Sequence, residues 1–392
     1  MSNLLSVSTV FTYIGYIILA IVVLLFMVLI HELGHYTAGK ILKFKINEFS
    51  VGFGPKLLQK TKKNGEKITL RAFPLGGYCA FEGEGEDGAE NTQAFNNQKP
   101  WKRLIVLFFG AFFNFLSAII FSFILLLSCG YDLVEVKNVG TDSINYSILE
   151  SGDVIYGIDG KEIDFVDDEY MNTLISITIQ EDYSEYSGTD EELKAEYSFV
   201  SEGKTYYMDT RSILFNIRRD GNEISLDGYI NVIYDANGDY TGWSLLSSER
   251  ENNEEFSIGN YKYSFGESLL QAVPFTCKWV WKMLVIFGQL LTGQLSITTL
   301  AGPVTTITTI ATYTQSGGFA YLAILLPLIA VNLAVFNLLP IPALDGFQMI
   351  FVLVEWIRKK PINQKVLNMI NNIGLMLLLG FVVVVEIIHF AL

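Results

Sequence analysis

Histidine is nearly missing from this chain: of 392 residues, only His31, His35 and His389 carry an imidazole. Cysteine is as sparse. Cys79, Cys129 and Cys277 are scattered and odd in number, which excludes a disulfide framework and a thiolate zinc site. Charge is thin as well, at 17% of residues against 51% hydrophobic and 14% aromatic. That balance argues for a membrane protein with a soluble part. Ahead of the first apolar run, residues 11–30, there is no basic residue. The run lacks the positive n-region of a secretory signal and is too long for an h-region, so it is expected to be a retained span.

The net charge of −14 is concentrated in one place. Residues 131–266 hold 29 acidic and 9 basic side chains, while the remainder holds 12 and 18. A block this acidic is a poor partner for nucleic acid and reads as a solvated domain beside the membrane.

Four stretches are long enough to cross roughly 30 Å of hydrocarbon as helices of about 20 residues. They are residues 11–30 (running on past His35), 104–129, 319–339 and 369–388. A fifth, 269–291, is interrupted by Pro274, Lys278 and Lys282, and the threonine-rich "TTLAGPVTTITTIATY" follows it. Both are expected to lie on the membrane or dip into it. Ten Lys and Arg side chains fall between residues 38 and 101, and Arg358, Lys359, Lys360 and Lys365 follow the third span. Basic residues mark the cytoplasmic side. The N-terminus, the acidic block and the C-terminus are then outside, and His31, His35 and Asp345 share one depth near the cytoplasmic face.

His31-Glu32-Leu33-Gly34-His35 fits the pattern H-E-x-x-H. On a helix, residues i and i+4 share a face, so both imidazoles can bind one zinc while Glu32 stands beside it as general base. Two histidines satisfied by packing would be the plain alternative, but ionisable residues inside a span are costly and mark function. A catalytic zinc keeps three protein ligands and a water. His389 ends the last span on the opposite face, so a carboxylate must complete the set. Asp345, in "NLLPIPALDG", lies at the right depth, after Pro340 and Pro342 break the helix. By spacing alone Asp345 could equally be an N-cap for the helix that follows. The expected chemistry is peptide hydrolysis: zinc acidifies a water and polarises a carbonyl, and Glu32 moves the proton to the leaving amine.

These motifs carry a resemblance. "HELGH", "VGFGP" (residues 51–55), "FPLGGY" (73–78), "AFNNQKPWKRL", "LAGPV" (300–304) and "NLLPIPALDG" (337–346) occur in the order seen in the site-2 protease family of intramembrane zinc metalloproteases, bacterial regulator-of-sigma-factor type. The resemblance implies zinc ligands His31, His35 and Asp345, with Glu32 as base. It also implies that Asn337 and Pro340 hold the substrate backbone, and that a membrane-entering loop lies near the active site. One departure is visible: where the family's second span reads Gly-Pro-x-x-Asn, Gly110 is followed by Ala111, with Asn114 retained.

The expected fold is a polytopic α-helical membrane protein of about four transmembrane helices, with a glycine-rich β-hairpin near the active site. An extracytoplasmic, mainly-β PDZ domain is inserted. The parts are residues 1–130, 131–266 and 267–392. The hairpin is signalled by Asn64-Gly65 between two extended runs. Its edge, with Gly52 and Gly54, is expected to accept an unwound substrate as an added strand, although an ordinary cytoplasmic hairpin would look the same. "ILESGDVIYGIDGKEI" (148–163), with turns at Ser151-Gly152-Asp153 and Asp159-Gly160, resembles a PDZ signature, and residues 180–203 are read as an inserted loop. Such a domain could screen substrates by the bulk of their outer parts or simply dock a partner.

The expected activity is therefore an intramembrane zinc metalloendopeptidase of a bacterial cytoplasmic membrane. Its partners would be the bilayer and single-span proteins already cut by another protease, with anti-sigma factors or remnant signal peptides as the implied substrates. A membrane zinc carrier or sensor and an inactive scaffold are the alternatives. A carrier would be expected to have several ligands along a path, and the intact Glu32 disfavours a dead scaffold. Asp345 is the only aspartate near the cytoplasmic end of a span, which leaves no aspartyl pair, and His389 alone cannot form a Ser/His dyad.

Overall fold

The computed structural model describes residues 7–84, 92–131, 133–140, 143–162, 197–201, 204–235, 240–244, 257–296, 300–360 and 362–391. The chain divides into two compact units, one of residues 1–124 and 269–392 and the other of residues 125–268.

The first unit is built on helices: α1 (Val7–Ile41), α2 (Pro100–Ser128), α3 (Phe265–Leu291), α4 (Pro303–Leu338), α5 (Asp345–Arg358) and α6 (Gln364–Ala391). Five of them, all but α5, are long and apolar enough to cross a membrane. The fifth stretch thus forms one continuous helix through Pro274, so proline and two lysines do not interrupt it. α4 is broken at Gly318 (φ 65°, ψ −151°), and its second segment begins at Phe319, where the third span is predicted to start. In its first segment the hydroxyls of Thr306, Thr308 and Thr314 donate to carbonyls four residues back. That satisfies polar groups within an otherwise apolar helix.

Glu386, on α6, is committed to structure as well. Its carboxylate accepts the Val304 N–H at 2.7 Å, the Thr305 N–H at 3.2 Å and the Thr305 hydroxyl at 2.9 Å. Those N–H groups are the unpaired donors at the start of α4, so an acid on one helix caps another and complements its dipole.

Between α1 and α2 lie β1 (Ile46–Thr61) and β2 (Lys67–Phe81). The turn between them places Gly65 at φ 85°, as Asn-Gly predicts. Pairing goes beyond a simple hairpin. Residues 46–51 pair with 77–81 on one side, and on the other Glu48, Phe49, Ser50 and Val51 face Lys67, Ile68, Thr69 and Leu70; residues 58–61 in turn face 67–70. The two strands fold back into four rungs, leaving 77–81 as one outer edge.

A polar cluster ties this sheet to α1. The Glu66 carboxylate is fully buried and takes hydrogen bonds from Lys40, Lys62 (2.9 Å), Tyr36 (2.9 Å) and Asn64 (3.1 Å). Burial pushes its carboxyl up, but these donors outweigh it and hold it down at about 2, against 4.5 for a free glutamate. A depressed carboxyl stabilises above the unfolded value and loses that contribution as pH falls from 4.5 toward 2. The thermal unfolding midpoint of the detergent-solubilised protein should therefore drop more steeply across this window than that of Glu66→Gln. Parallel drops in the two proteins would mean that Glu66 contributes nothing to acid stability.

The second unit is β-rich. Its strands are β3 (Val134–Asn138), β4 (Val154–Ile158), β5 (Lys161–Glu162), β6 (Tyr197–Ser201), β7 (Lys204–Arg219), β8 (Asn222–Asp235), β9 (Tyr240–Ser244) and β10 (Ser257–Asn260). They pair in the order β10-β3-β4-β7-β8-β9, with β5 on β4 and β6 on β7. Val136, Leu149, Ile155, Phe215, Ile217 and Val232 are among the residues of its core; fully burying side chains of this kind stabilises by about 1.5–3 kcal/mol each. Both Asp159-Gly160 and Asp220-Gly221 have positive φ at each position, the type I′ geometry of two-residue hairpins. The turn at Gly152 (φ 97°) is pinned by Arg219, which donates to Asp153 at 2.6 and 2.7 Å and to the Ile148 carbonyl at 2.9 Å. Of the loop read at 180–203, residues 180–196 and 202–203 lie outside the described residues, while 197–201 are strand β6 pairing with β7.

Candidate metal centre

α1, α2 and α5 meet where they carry polar groups. His31 and His35 are buried and, being four residues apart, point to the same side of α1. α2 comes against them through glycine: a Cβ on Gly110 would lie 2.4 Å from His35 Nε2, and one on Gly34 would lie 2.1 Å from the Phe109 carbonyl oxygen. Small residues are what allow two helix backbones to approach this closely in a membrane. α2 runs unbroken through Gly110 and Ala111, so Ala in place of the family's proline leaves the helix regular.

Asp345 comes from far along the chain. It is the first residue of α5, whose N-cap is Leu344, so Asp345 is not the N-cap that spacing alone allowed. Its Oδ2 lies 3.0 Å from His31 Nε2 and 3.2 Å from His35 Nε2, and the two Nε2 atoms are 3.1 Å apart. Ligand atoms about 2.0–2.1 Å from a tetrahedral zinc are about 3.3 Å from each other. The observed triangle is that size within a few tenths of an ångström. Asp345 Oδ2 is buried with no hydrogen-bond donor assigned to it, as a metal-facing oxygen would be. His35 Nδ1 lies 2.8 Å from the Val106 carbonyl. A carbonyl can only accept, so Nδ1 carries the hydrogen and Nε2 keeps its lone pair for a metal. Among the described residues this is the one His/Cys/Asp/Glu group close enough to hold a metal ion; His389 has no place in it.

α5 is also anchored. Arg103 of α2 and Glu355 of α5 form an ion pair, each side chain 7% exposed, and Glu355 also accepts the Ile362 N–H at 3.0 Å. The pair holds the helix that begins with Asp345 against α2.

A cleft of about 360 Å³ opens over the triangle, lined by Glu32, Tyr78, Cys79, Glu84 and Asn337 among others. The Cys79 N–H lies near the Glu32 carboxylate, and Glu84 accepts the Phe81 N–H at 3.3 Å. These N–H groups belong to the outer edge 77–81 of the sheet, which therefore borders the cleft. Arg71 braces Tyr78 there, donating to its hydroxyl at 2.7 Å and to Glu48 at 2.9 Å.

The structure brings Glu32, His31, His35, Asp345 and Asn337 together. Gly52, Gly54 and Pro340 do not line the cleft. Both glycines have φ 83°, and added Cβ atoms would meet Phe73 at 2.7 and 2.4 Å; they permit the curl of β1 against β2. Pro340 is exposed in the short link between α4 and α5. Glu84 was not anticipated, and its only signal is the acidic, glycine-rich run after β2.

Two imidazoles and a carboxylate around one point, with a second carboxylate beside them, define a centre of the metal-dependent peptidase class. The comparisons agree with it. Residues 19–381 match the model of peptidase family M50, and the chain therefore belongs to that family, the site-2 proteases. Its members are zinc-dependent, and this chain is a multi-pass zinc metalloprotease. It is 29% identical over 375 residues to a Fusobacterium nucleatum protein, with 94% of this chain and 97% of that one covered. A Clostridium perfringens protein is 29% identical over 374 residues, covering 95% and 97%. Both bear the name "Putative zinc metalloprotease".

Proposed function

We propose that this protein cuts single-span membrane proteins within the bilayer, at a zinc held by His31, His35 and Asp345. The observation that carries the reading is the 3.0–3.2 Å triangle of their ligand atoms, with both histidines on a helix long and apolar enough to span a membrane. Bound there, zinc would supply Lewis-acid chemistry, polarising the scissile carbonyl and acidifying a water. Glu32 takes the proton from that water and delivers it to the leaving amine. Asn337, in the cleft wall, offers its amide to the substrate backbone. Edge 77–81 offers main-chain hydrogen bonds to an extended substrate, which requires the substrate helix to unwind. Leu57, Leu58 and Phe73 are more than half exposed, an apolar surface suited to a sheet that enters the membrane.

The β-rich unit is read as an extracytoplasmic PDZ domain that turns away proteins with bulky outer domains, on the orientation that the basic loops favour. Anti-sigma factors or remnant signal peptides, trimmed by another protease, are the substrate classes implied. A carrier is disfavoured because Glu386 caps α4 rather than forming a second ligand cluster.

One assay tests both parts. Purified full-length protein in detergent or liposomes should cleave a single-span substrate with a short outer tail, lose that activity with chelator and regain it with zinc. The same substrate carrying a folded outer domain should be spared. Chelator-resistant cleavage would reject the metal reading, and equal cleavage of both substrates would reject screening.

A further inference from the structure

His35 has its tautomer fixed by the Val106 carbonyl; His31 needs an equivalent. The group that faces its Nδ1 is Asn114, on α2, which is fully buried. Its Nδ2 lies 3.3 Å from His31 Nδ1, while its Oδ1 is buried without a hydrogen-bond partner. A half-turn of the amide exchanges these two atoms. The exchange lets Oδ1 accept the His31 Nδ1–H, while the amide nitrogen takes the buried position that the oxygen leaves. In the opposite orientation Nδ2 would donate to an Nδ1 lone pair, and the neutral ring would carry its hydrogen on Nε2, the atom that faces Asp345 at 3.0 Å. A metal cannot bind there.

We propose that Asn114 is a positioning residue of the metal centre: its Oδ1 accepts the His31 Nδ1–H and fixes the tautomer whose Nε2 lone pair points at the metal. The inference rests on the ligand assignment above. Both histidines are then set from α2, one by the Val106 carbonyl and the other by a side chain that imitates one. Outer-shell acceptors of this kind orient the ring and raise its basicity.

A second amide is near. Asn337 Nδ2 lies 3.5 Å from the same Nδ1, but Asn337 is half-buried and lines the cleft, which Asn114 does not. One N–H goes to the closer and fully buried oxygen. The amides therefore divide the work: Asn114 serves the metal and Asn337 the substrate.

The test uses full-length protein and reads zinc affinity by competition with a chromophoric chelator, and the visible absorption of the cobalt-loaded form. Asn114→Leu, of similar volume but with no acceptor, should bind zinc roughly 10–100-fold more weakly and shift the cobalt spectrum. Asn114→Asp keeps an acceptor oxygen and should hold zinc within about threefold of wild type, with an unchanged spectrum; outer-shell losses are larger than that. Asn337→Leu should leave both readouts unchanged and raise KM or lower kcat instead. Wild-type affinity in Asn114→Leu would overturn the proposal. So would a loss in Asn114→Asp equal to that in Asn114→Leu, because aspartate lacks only the donor. If Asn114→Leu does not fold, Asn114→Asp still decides, since it cannot donate to Nδ1. A wild-type protein that binds no zinc would bring down the metalloprotease reading itself, an outcome distinct from a failure of Asn114 alone.

Discussion

Glu32→Gln should keep its zinc and lose its activity. Glutamine has nearly the shape of glutamate, and its carbonyl oxygen can still face the nearby Cys79 N–H, so the cleft should be undisturbed. What it cannot do is receive a proton. General-base catalysis contributes about 10²- to 10⁴-fold, which is about 3–5 kcal/mol of barrier, and single-turnover cleavage should slow by at least that much. Bound zinc, measured on the same sample, should match wild type, because Glu32 lies outside the triangle of ligand atoms. Cleavage within threefold of wild type would remove Glu32 from the mechanism. A simultaneous loss of zinc would instead make it a ligand.

Asp345→Ala should fail earlier, at metal binding. It removes the single anionic member of the triangle and leaves a pair of imidazoles, too few for a catalytic zinc, which keeps three protein ligands. The affinity loss should exceed the roughly 10–100-fold expected for an outer-shell partner, and zinc should be lost on gel filtration. Because Asp345 begins α5 without capping it, and the Arg103–Glu355 pair still holds that helix, the thermal midpoint of metal-free protein should shift by only a few degrees. Undiminished zinc would show that Asp345 is merely the first residue of a helix and that another group completes the site.

The parts of this molecule that sequence made legible are local. An i, i+4 pair of histidines, Asn64-Gly65 and Asp159-Gly160 state their geometry within five residues, and the structure has the helix and both turns. Depth in the membrane was enough to prefer Asp345 over His389. The double pairing of residues 48–51 left no such trace, because the curl comes from Gly52 and Gly54 packing on Phe73, a contact made by folding. The same holds for Arg103 and Glu355, 252 residues apart, and for Asn114, whose role needs α2 laid against His31. In residues 269–291 Pro274, Lys278 and Lys282 signal an interruption, and proline removes a helical hydrogen bond at a cost of about 3 kcal/mol. The helix forms nonetheless; Ala272, Phe275 and Trp279 are each less than a tenth exposed, and such burial offsets a local penalty.

The ion pair between Arg103 and Glu355 joins the two ends of a long wait. His31, Glu32, His35 and Arg103 are all made early, and the carboxylates that answer them, Asp345 and Glu355, come about 310 and 250 positions later. At synthesis rates of about 5–20 residues per second, the first helices stand for roughly 15–60 s before a metal centre can close. With the ligand set proposed above, the protease is thereby kept idle by the order of its own translation until Asp345 has been made.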